Sequence, residues 1–524
     1  MSSKFLVVLI FLLFFTRFIK LDWGNGYYFH PDENNMASAI SRLSPGSLDP
    51  KFYAYGQFPL FLAFYSFRFY SLLLWNILPD HLTFSQSILT LRFWSAIFST
   101  LSVLVFYLIS KKITPKKYFS EIFAILLIFS PGLIQFSHFG TTESILIFVL
   151  AINTLLGLLI LDSKGIRLVN LVIASSLINA AGLATKITSV ILIGPVLLAL
   201  LLLFIRSRNK VPIILLTQLF TIITIVLYAA FSPFNIVSRK EFLSTMGYET
   251  AVATGKIPVF YTSQFIGTRP YIYQFIHIFP YVNGLPVFLI AILGIILFIK
   301  KFPKPIDQKY KWLIVLATPL IYFLYVGQLY TKWTRFMSPI FFIFPLLTAY
   351  FISSLRPNGL KIIFTLICVI PGFVFLYRYL QKDIRVTASE WVDKNIPEKS
   401  IVLSEAGNVI NFPMGTTRGY DINNFDFYKL DEDPNLPPKL TDLVSDADYI
   451  FVPSRRIFKN QYGPRFPHSD KYYRRLFSGA LGFRLIKTFP ADLVILNPEN
   501  AEETWTVFDR PVIRIFQKVN GQAP

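Results

Sequence analysis

Phe29-His30-Pro31-Asp32-Glu33 carries the densest chemistry in the chain, an imidazole and two adjacent carboxylates directly behind the first long apolar run. Ionisable groups at the edge of hydrocarbon are costly, and where they occur they handle substrates, ions or protons. Neighbouring carboxylates in an extended segment point apart, so one can face a substrate while the other holds a neighbour. A partly desolvated Asp32 has the character of a general base, a role worth about 10²–10⁴-fold in rate. His30 can orient the loop or bind a charged group, and Pro31 stiffens it. A plainer reading stays open beside this one: a solvated turn in which Asp32 caps a helix beginning near Asn34.

Two further groups belong to the same question. Ser137-His138-Phe139-Gly140-Thr141-Thr142-Glu143 puts a His and a Glu at a tight turn before another apolar run. It can complete a polar cluster with the first loop, or serve only as a helix cap with Glu143 at the favourable N-terminal end. The positives Lys186, Arg269, Lys332 and Arg335 suit an anionic phosphate, Arg as a bidentate clamp and Lys as a point charge. Tyr271, Tyr273 and His277 follow Arg269. The alternative for these cations is snorkelling to lipid headgroups.

The elements that must position these groups are membrane helices. The 524 residues are 54% hydrophobic and 17% aromatic, and a mean hydropathy of +0.53 excludes an ordinary water-soluble globule. Runs of about 18 to 22 apolar residues match the hydrocarbon thickness. The net charge of +20 lies mostly in short clusters between these runs, as in cytoplasmic loops, which argues against a nucleic-acid partner and for contact with membrane lipids. Cys368, the single cysteine, has no intrachain partner. Arg17, Lys20 and Asp22 stand where a signal cleavage site would lie, so the first run is expected to be a retained helix.

Spans are expected near 4–21, 92–110, 118–136, 144–161, 168–185, 187–205, 211–230, 284–299, 312–328, 336–354 and 360–379. Basic clusters then fall on alternate connections: Lys111–Lys117, Lys164/Arg167, Arg206–Lys210, Lys300–Lys311 and Arg356/Lys361. These share the cytoplasmic side only if 34–43 and 58–78 are external helices on the membrane face, with 22–91 a long first external loop and 231–283 another. The expectation is eleven spans, N-terminus inside and C-terminus outside, with a count of twelve as the competing reading. Domain boundaries follow: 1–379 in the membrane, and 380–524 a soluble α/β domain on the outer face, with strands at Ser400–Leu403, Tyr449–Val452, Leu493–Leu496 and Val512–Phe516 and helices at Thr387–Asn395 and Asp470–Phe477. The acidic run from Asp421 to Asp433 lacks the Gly and distal Glu of an EF-hand and reads as a solvated loop. No P-loop, dinucleotide fingerprint, nucleophile elbow or Cys/His zinc pattern occurs.

Several stretches in order resemble the GT-C glycosyltransferases, nearest the protein-mannosyltransferase (family 39) and aminoarabinose-transferase group. They are His30–Glu33 with Tyr53-Ala54-Tyr55-Gly56-Gln57-Phe58-Pro59-Leu60, Leu91–Ala96, Ser130-Pro131 closing the third span, His138–Glu143, Gly182–Lys186, Lys332–Pro339, Tyr472–Phe477 and Glu502–Pro511. The resemblance covers nearly the whole chain. It implies an inverting transferase that moves a sugar from a polyprenyl-phosphate donor to a lipid, glycan or protein acceptor at the external face. It places Asp32 as the base, Glu33 sharing or supporting that role, and Glu143 at the acceptor or at a divalent-cation site. Lys332 and Arg335 match donor-phosphate positions, Lys186 and Arg269 more loosely; His30, His138 and Tyr271 complete the expected binding set. The β-trefoil domain of the protein-mannosyltransferase branch is missing, which speaks against protein O-mannosylation. A transporter or lipid flippase is the competing class. It would put ionisable residues at mid-membrane and show inverted repeats, whereas the acids here cluster at one face.

Overall fold

Runs of span length become helices because a bilayer offers no water to satisfy backbone groups. The computed structural model describes residues 3–415, 418–490 and 496–519. Its first half holds α1 (Ser3–Phe18), α2 (Pro31–Ser41), α3 (Phe58–Trp75), α4 (Phe84–Ile113), α5 (Phe119–Ile128), α6 (Pro131–His138), α7 (Glu143–Leu161), α8 (Gly165–Leu183), α9 (Gly194–Arg206) and α10 (Val211–Phe231). There follow α11 (Phe234–Val237), α12 (Arg239–Thr254), α13 (Ile272–His277), α14 (Phe279–Asn283), α15 (Leu285–Lys300), α16 (Ile306–Val326), α17 (Thr334–Met337), α18 (Ile343–Ile352) and α19 (Asn358–Tyr379). Among the described residues eight helices are long and apolar enough to cross a membrane, or eleven if each bent pair is one span. Every expected span corresponds to a helix, but membership differs: α1 is shorter than the span criterion, whereas α3, expected on the surface, meets it.

Contacts locate α3. Ser66, halfway along it, accepts from Trp94 Nε1 at 2.8 Å, and Ser41 of α2 meets Ser87 at 3.4 Å. Both partners lie in the N-terminal half of the 30-residue α4, so α2 and α3 pack around one end of the bundle. The helix ends as a whole sort into two sets. At one end the basic connections meet one another, with Lys116 Nζ on Ser354 at 2.9 Å and Arg206 on Asp307 at 3.0 Å. At the other end the loops carrying the candidate residues meet. This is the alternation that charge parity requires.

The third span corrects the sequence reading. Ser130-Pro131 does not close it; the chain bends by 49° and continues as α6. Pro131 lacks an N–H, so the break leaves carbonyls short of helical donors in an apolar interior, Leu127 O keeping only a long bond from the Ser130 N–H at 3.3 Å. Arg17 of α1, wholly buried, supplies the missing donors: its guanidinium reaches Leu127 O and Ile128 O, each at 2.9 Å, and Ser99 at 3.0 Å.

After Tyr379 comes α20 (Ile384–Asn395), then a sheet of β1 (Ile401–Glu405), β2 (Asp421–Phe425), β3 (Tyr449–Val452), β4 (Phe483–Phe489) and β5 (Ile513–Lys518), in the order β2-β1-β3-β5-β4. The helices α21 (Leu436–Asp446), α22 (Arg456–Asn460), α23 (Pro467–Phe477) and α24 (Glu503–Thr506) lie between strands. The period-2 alternation gives the sheet two cores: Leu403, Ile450 and Phe516 face one, Val402, Phe451 and Ile515 the other. Two strands escaped the sequence reading. β2 falls in the acidic run read as a loop; it is a parallel edge strand, where polar residues are normal because one side stays wet. β4 alternates weakly behind exposed Arg484 and Leu485. Residues 493–495 of the expected strand Leu493–Leu496 lie outside the described residues.

Glu405, ending β1, is buried and accepts from Tyr473 Oη and Asn408 Nδ2, both at 2.6 Å. Burial pushes its carboxyl up to about 8. The folded protein therefore keeps a proton that the unfolded chain releases near its ordinary value of 4.5. The sign follows: this stabilisation is complete below the unfolded value and is lost as pH rises toward 8, on the order of a few kcal/mol. Thermal unfolding followed between about pH 5 and 9 should show a fall in the wild type that Glu405→Gln flattens.

Candidate active site

The first loop reaches its position through Glu33, not Asp32. Pro31 fits the first turn of α2, where a missing N–H costs nothing. That turn drives Glu33 inward, to 0% exposure. Its carboxylate takes a bidentate pair from Arg92 of α4, at 2.7 and 3.0 Å, and accepts from the Gly140 N–H at 2.5 Å. Arg92 also donates to Leu21 O and Trp23 O and lies over the Trp23 ring at 4.3 Å. One buried pair thus ties together the exit of α1, the first loop, α4 and the turn before α7. Breaking such a pair on one side strands a charge. Arg92→Met should cost about 3–5 kcal/mol by that rule, read as lowered apparent Tm in detergent, with Glu33→Gln added to it recovering part of the loss.

The second half of the first loop is held as firmly. Gly56 N and Phe58 N donate to Thr185 O and Ala184 O at 2.9 and 3.0 Å, an approach so close that a Cβ on Gly56 would lie 2.0 Å from Ala184 O. The Gln57 amide bonds Asn235 and the Phe234 N–H, both at 3.0 Å, which fixes the start of the 231–283 segment beside the loop.

Asp32 is left partly exposed. Its carboxylate pairs with the Arg335 guanidinium, and both side chains are about one-fifth exposed, at 21% and 20%, in contrast to sealed Glu33. Arg335 lies over the Trp333 ring at 4.6 Å. The turn carrying it is fixed from the C-terminal domain: buried Glu502 accepts from the Thr334 N–H at 2.8 Å and the Thr504 N–H at 3.2 Å. Lys186 sits over Tyr55 at 5.3 Å and Phe336 at 5.1 Å. His30 is wedged between Phe139 and Phe508, at 4.6 and 4.5 Å.

Electrostatics join these groups. Burial alone would raise the Asp32 carboxyl, but Arg335, then His30 and Lys186, outweigh it and hold it below the usual carboxylate value. Burial lowers His30, against the pull of Asp32, Glu33 and Glu143. It also lowers Lys186, which Glu143 and Asp32 pull back up. Glu143, buried at the first residue of α7, is therefore within electrostatic reach of His30, Lys186 and Arg335. Several polar atoms in this set are buried without a hydrogen-bond partner among the described residues: His30 Nδ1, Arg335 Nε and Thr141 Oγ1. Orphaned buried donors are rare, and a group of them invites a ligand.

The other expected residues stand elsewhere. His138 is buried, with ring nitrogens on Ile134 O and Ile19 O at 2.8 Å and its face stacked on Tyr379 at 3.9 Å, so it packs the interior. Lys332 donates to Tyr330 O at 2.9 Å, and burial brings its ammonium down to about 8. Tyr271 anchors its segment through Leu324 O at 2.8 Å, beside exposed Arg269. Sequence reasoning missed Tyr55 as the ring under Lys186, Glu502 as the brace of Arg335, and Glu249 of α12. Desolvation raises the Glu249 carboxyl, Arg335 and Lys186 pull it down, and Asp32 pushes it up again. One of two acids in a mixed-polarity helix, beside Glu241, it carries no signal that could have marked it. Among the described residues no three His, Cys, Asp or Glu side chains could hold a metal ion together. Asp32 is paired with Arg335 and Glu33 with Arg92.

No protein-family profile matches the chain. No curated protein sequence matches it either. Solved structures do. The apo oligosaccharyltransferase of Archaeoglobus fulgidus superposes with a TM-score of 0.50 at 11% identity, over 99% of this chain and 89% of its own. ArnT from Cupriavidus metallidurans in the apo state gives 0.48 at 11%, over 98% and 97%. An arabinofuranosyltransferase, AftD from Mycobacteria, gives 0.43 at 13%, over 99% of this chain and 40% of that one. The chain is an integral membrane protein that shares the fold of the Archaeoglobus fulgidus oligosaccharyltransferase. The fold expected from sequence, a helical membrane bundle with a small C-terminal α/β domain, is found.

Proposed function

We propose that the protein is an inverting glycosyltransferase that takes a sugar from a polyprenyl-phosphate donor at the outer membrane face, with its N-terminus cytoplasmic and its C-terminal domain outside. The supporting observation is the pairing of Asp32 with Arg335 inside a group of orphaned buried donors, at the bundle end opposite the basic connections. The donor's phosphodiester competes for Arg335 as a bidentate partner through its two non-bridging oxygens. As it takes the guanidinium, Asp32 loses its strongest acidifying neighbour and becomes the stronger base. Asp32 then accepts the proton of an acceptor hydroxyl, whose oxygen attacks the anomeric carbon from the face opposite the phosphate. The bond from that carbon to the phosphate oxygen breaks, and the negative charge left on the prenyl phosphate is met by Arg335 and Lys186. Preorganised cations of this kind act where charge develops, so no general acid is required. Glu143 orients the acceptor side, while Glu33 positions Asp32 without touching substrate.

The test is a transfer assay with purified protein in proteoliposomes, radiolabelled prenyl-phosphate sugars and lipid, glycan and peptide acceptors. The proposal requires a glycosylated acceptor of inverted anomeric configuration. A retained configuration, or no transfer from any such donor, would contradict it.

A further inference from the structure

Beyond Glu502 the C-terminal domain and the 260–277 segment enclose a cleft of about 520 Å³, within the range of small-molecule sites. Its charges are unbalanced. Asp470 is paired with Arg474 at 2.8 Å and Glu499 with Arg514 at 2.8 Å, so its carboxylates are committed. Arg455 and Lys459 find only neutral oxygens: Arg455 donates to Ala501 O, and Lys459 to Asn500 Oδ1 at 3.3 Å. Arg455 is 6% exposed and its Nε has no partner among the described residues. The two cations are four residues apart: burial, then repulsion by Arg455, lowers Lys459, and Glu499, shared with Arg514, pulls it back only in part. Holding like charges together in a half-dry cleft is unfavourable unless an anion joins them. The remaining walls are aromatic: Tyr273, Phe458, Tyr473 and, 55% exposed at the rim, Tyr462. Flat amphipathic rings beside a bidentate cation suit a ring with an apolar face and an acidic substituent.

The cleft also connects to the site. Gln264 lines it and donates to Glu502 Oε1 at 3.2 Å, and Glu502 braces the turn that carries Arg335.

We propose that this cleft binds an acidic saccharide, a sugar bearing carboxylate or phosphate, through Arg455 and Lys459. That the saccharide is part of the acceptor rests on the transferase reading; that it binds does not. The test is titration of the full-length protein in nanodiscs with hexagalacturonate, mannose 6-phosphate, neutral maltohexaose and a hexaglutamate peptide. At least one acidic sugar should bind, more weakly as salt rises, and at least tenfold more tightly than maltohexaose. Lys459→Gln should weaken it about tenfold, Lys459→Arg should restore it, and Asp32→Asn should leave it unchanged. Lys459 is half-exposed, so its variants keep the test valid even if Arg455→Gln fails to fold. Equal binding of maltohexaose, indifference to Lys459→Gln, or binding of neither acidic sugar would overturn the proposal. Hexaglutamate binding as tightly as the sugars would replace the saccharide with an acidic peptide. Acidic-sugar binding by a protein that transfers nothing would leave this site standing and remove the transferase reading; transfer without such binding would do the reverse.

Discussion

Asp32→Asn should lower kcat for sugar transfer by about 10²–10⁴-fold, the range for removing a positioned base, while leaving donor affinity within a few-fold or tighter. The side chain keeps its shape and loses only its capacity to accept a proton. The surrounding structure predicts little damage, because the loop is held by Glu33, Arg92 and Gly140, not by Asp32. Removing the carboxylate also frees Arg335 from its present partner, so the phosphate no longer competes for it. The signature is therefore a fall in kcat without a rise in KM, read by steady-state transfer assays. A rise in KM with kcat intact would assign Asp32 to binding instead.

Arg335→Gln is the second large effect and should differ in kind. It removes the charge that meets the leaving phosphate, a loss of about 10²–10³-fold in kcat if Arg335 acts as other preorganised charge-stabilising groups do, together with weaker donor binding. It should also move the pH profile. With Arg335 in place the Asp32 carboxyl lies below its ordinary value of 3.8, despite burial. Without it, burial is opposed only by His30 and Lys186, so the carboxyl rises. The acid limb of kcat/KM for the residual activity should then shift to higher pH. An unmoved limb would mean that Arg335 does not act on Asp32. Arg335→Lys should recover less than the charge alone suggests, because a single ammonium cannot replace a bidentate fork.

Much of this architecture was legible in the sequence because membrane constraints are severe. Span length and the alternation of basic clusters located the helices and put Asp32, Glu143, Lys186 and Arg335 at one end. What sequence could not give was the fate of each side chain within that end. Asp32 and Glu33 are adjacent and chemically alike. The helical turn after Pro31 buries one against Arg92 and leaves the other toward Arg335, and that choice depends on α4, about 60 residues away. His138 and Lys332 carried the right chemistry for a site, but packing turned one to carbonyls and a tyrosine face and the other to Tyr330. Arg17 was legible as a charge near the end of the first run, yet its role appears only when the break at Pro131 exposes two carbonyls to it. The C-terminal boundary was blurred for a related reason. The 501–510 segment packs into the core of the bundle, where Gln135 and Tyr379 bond Asp509 at 3.1 and 2.9 Å, so a break in composition near 380 does not mark a break in packing.

In the proposed function Asp32 takes the proton and Arg335 the phosphate. This division is tested most directly in proteoliposomes, where donor binding, sugar transfer and movement of intact donor across the bilayer are followed together for the wild type and Asp32→Asn. The proposed function predicts that the wild type transfers sugar with inversion and that the variant holds donor at wild-type affinity or better without making product. Product from Asp32→Asn at a rate near the wild type would contradict the assignment of the base, and flux of intact donor without transfer would make the protein a carrier.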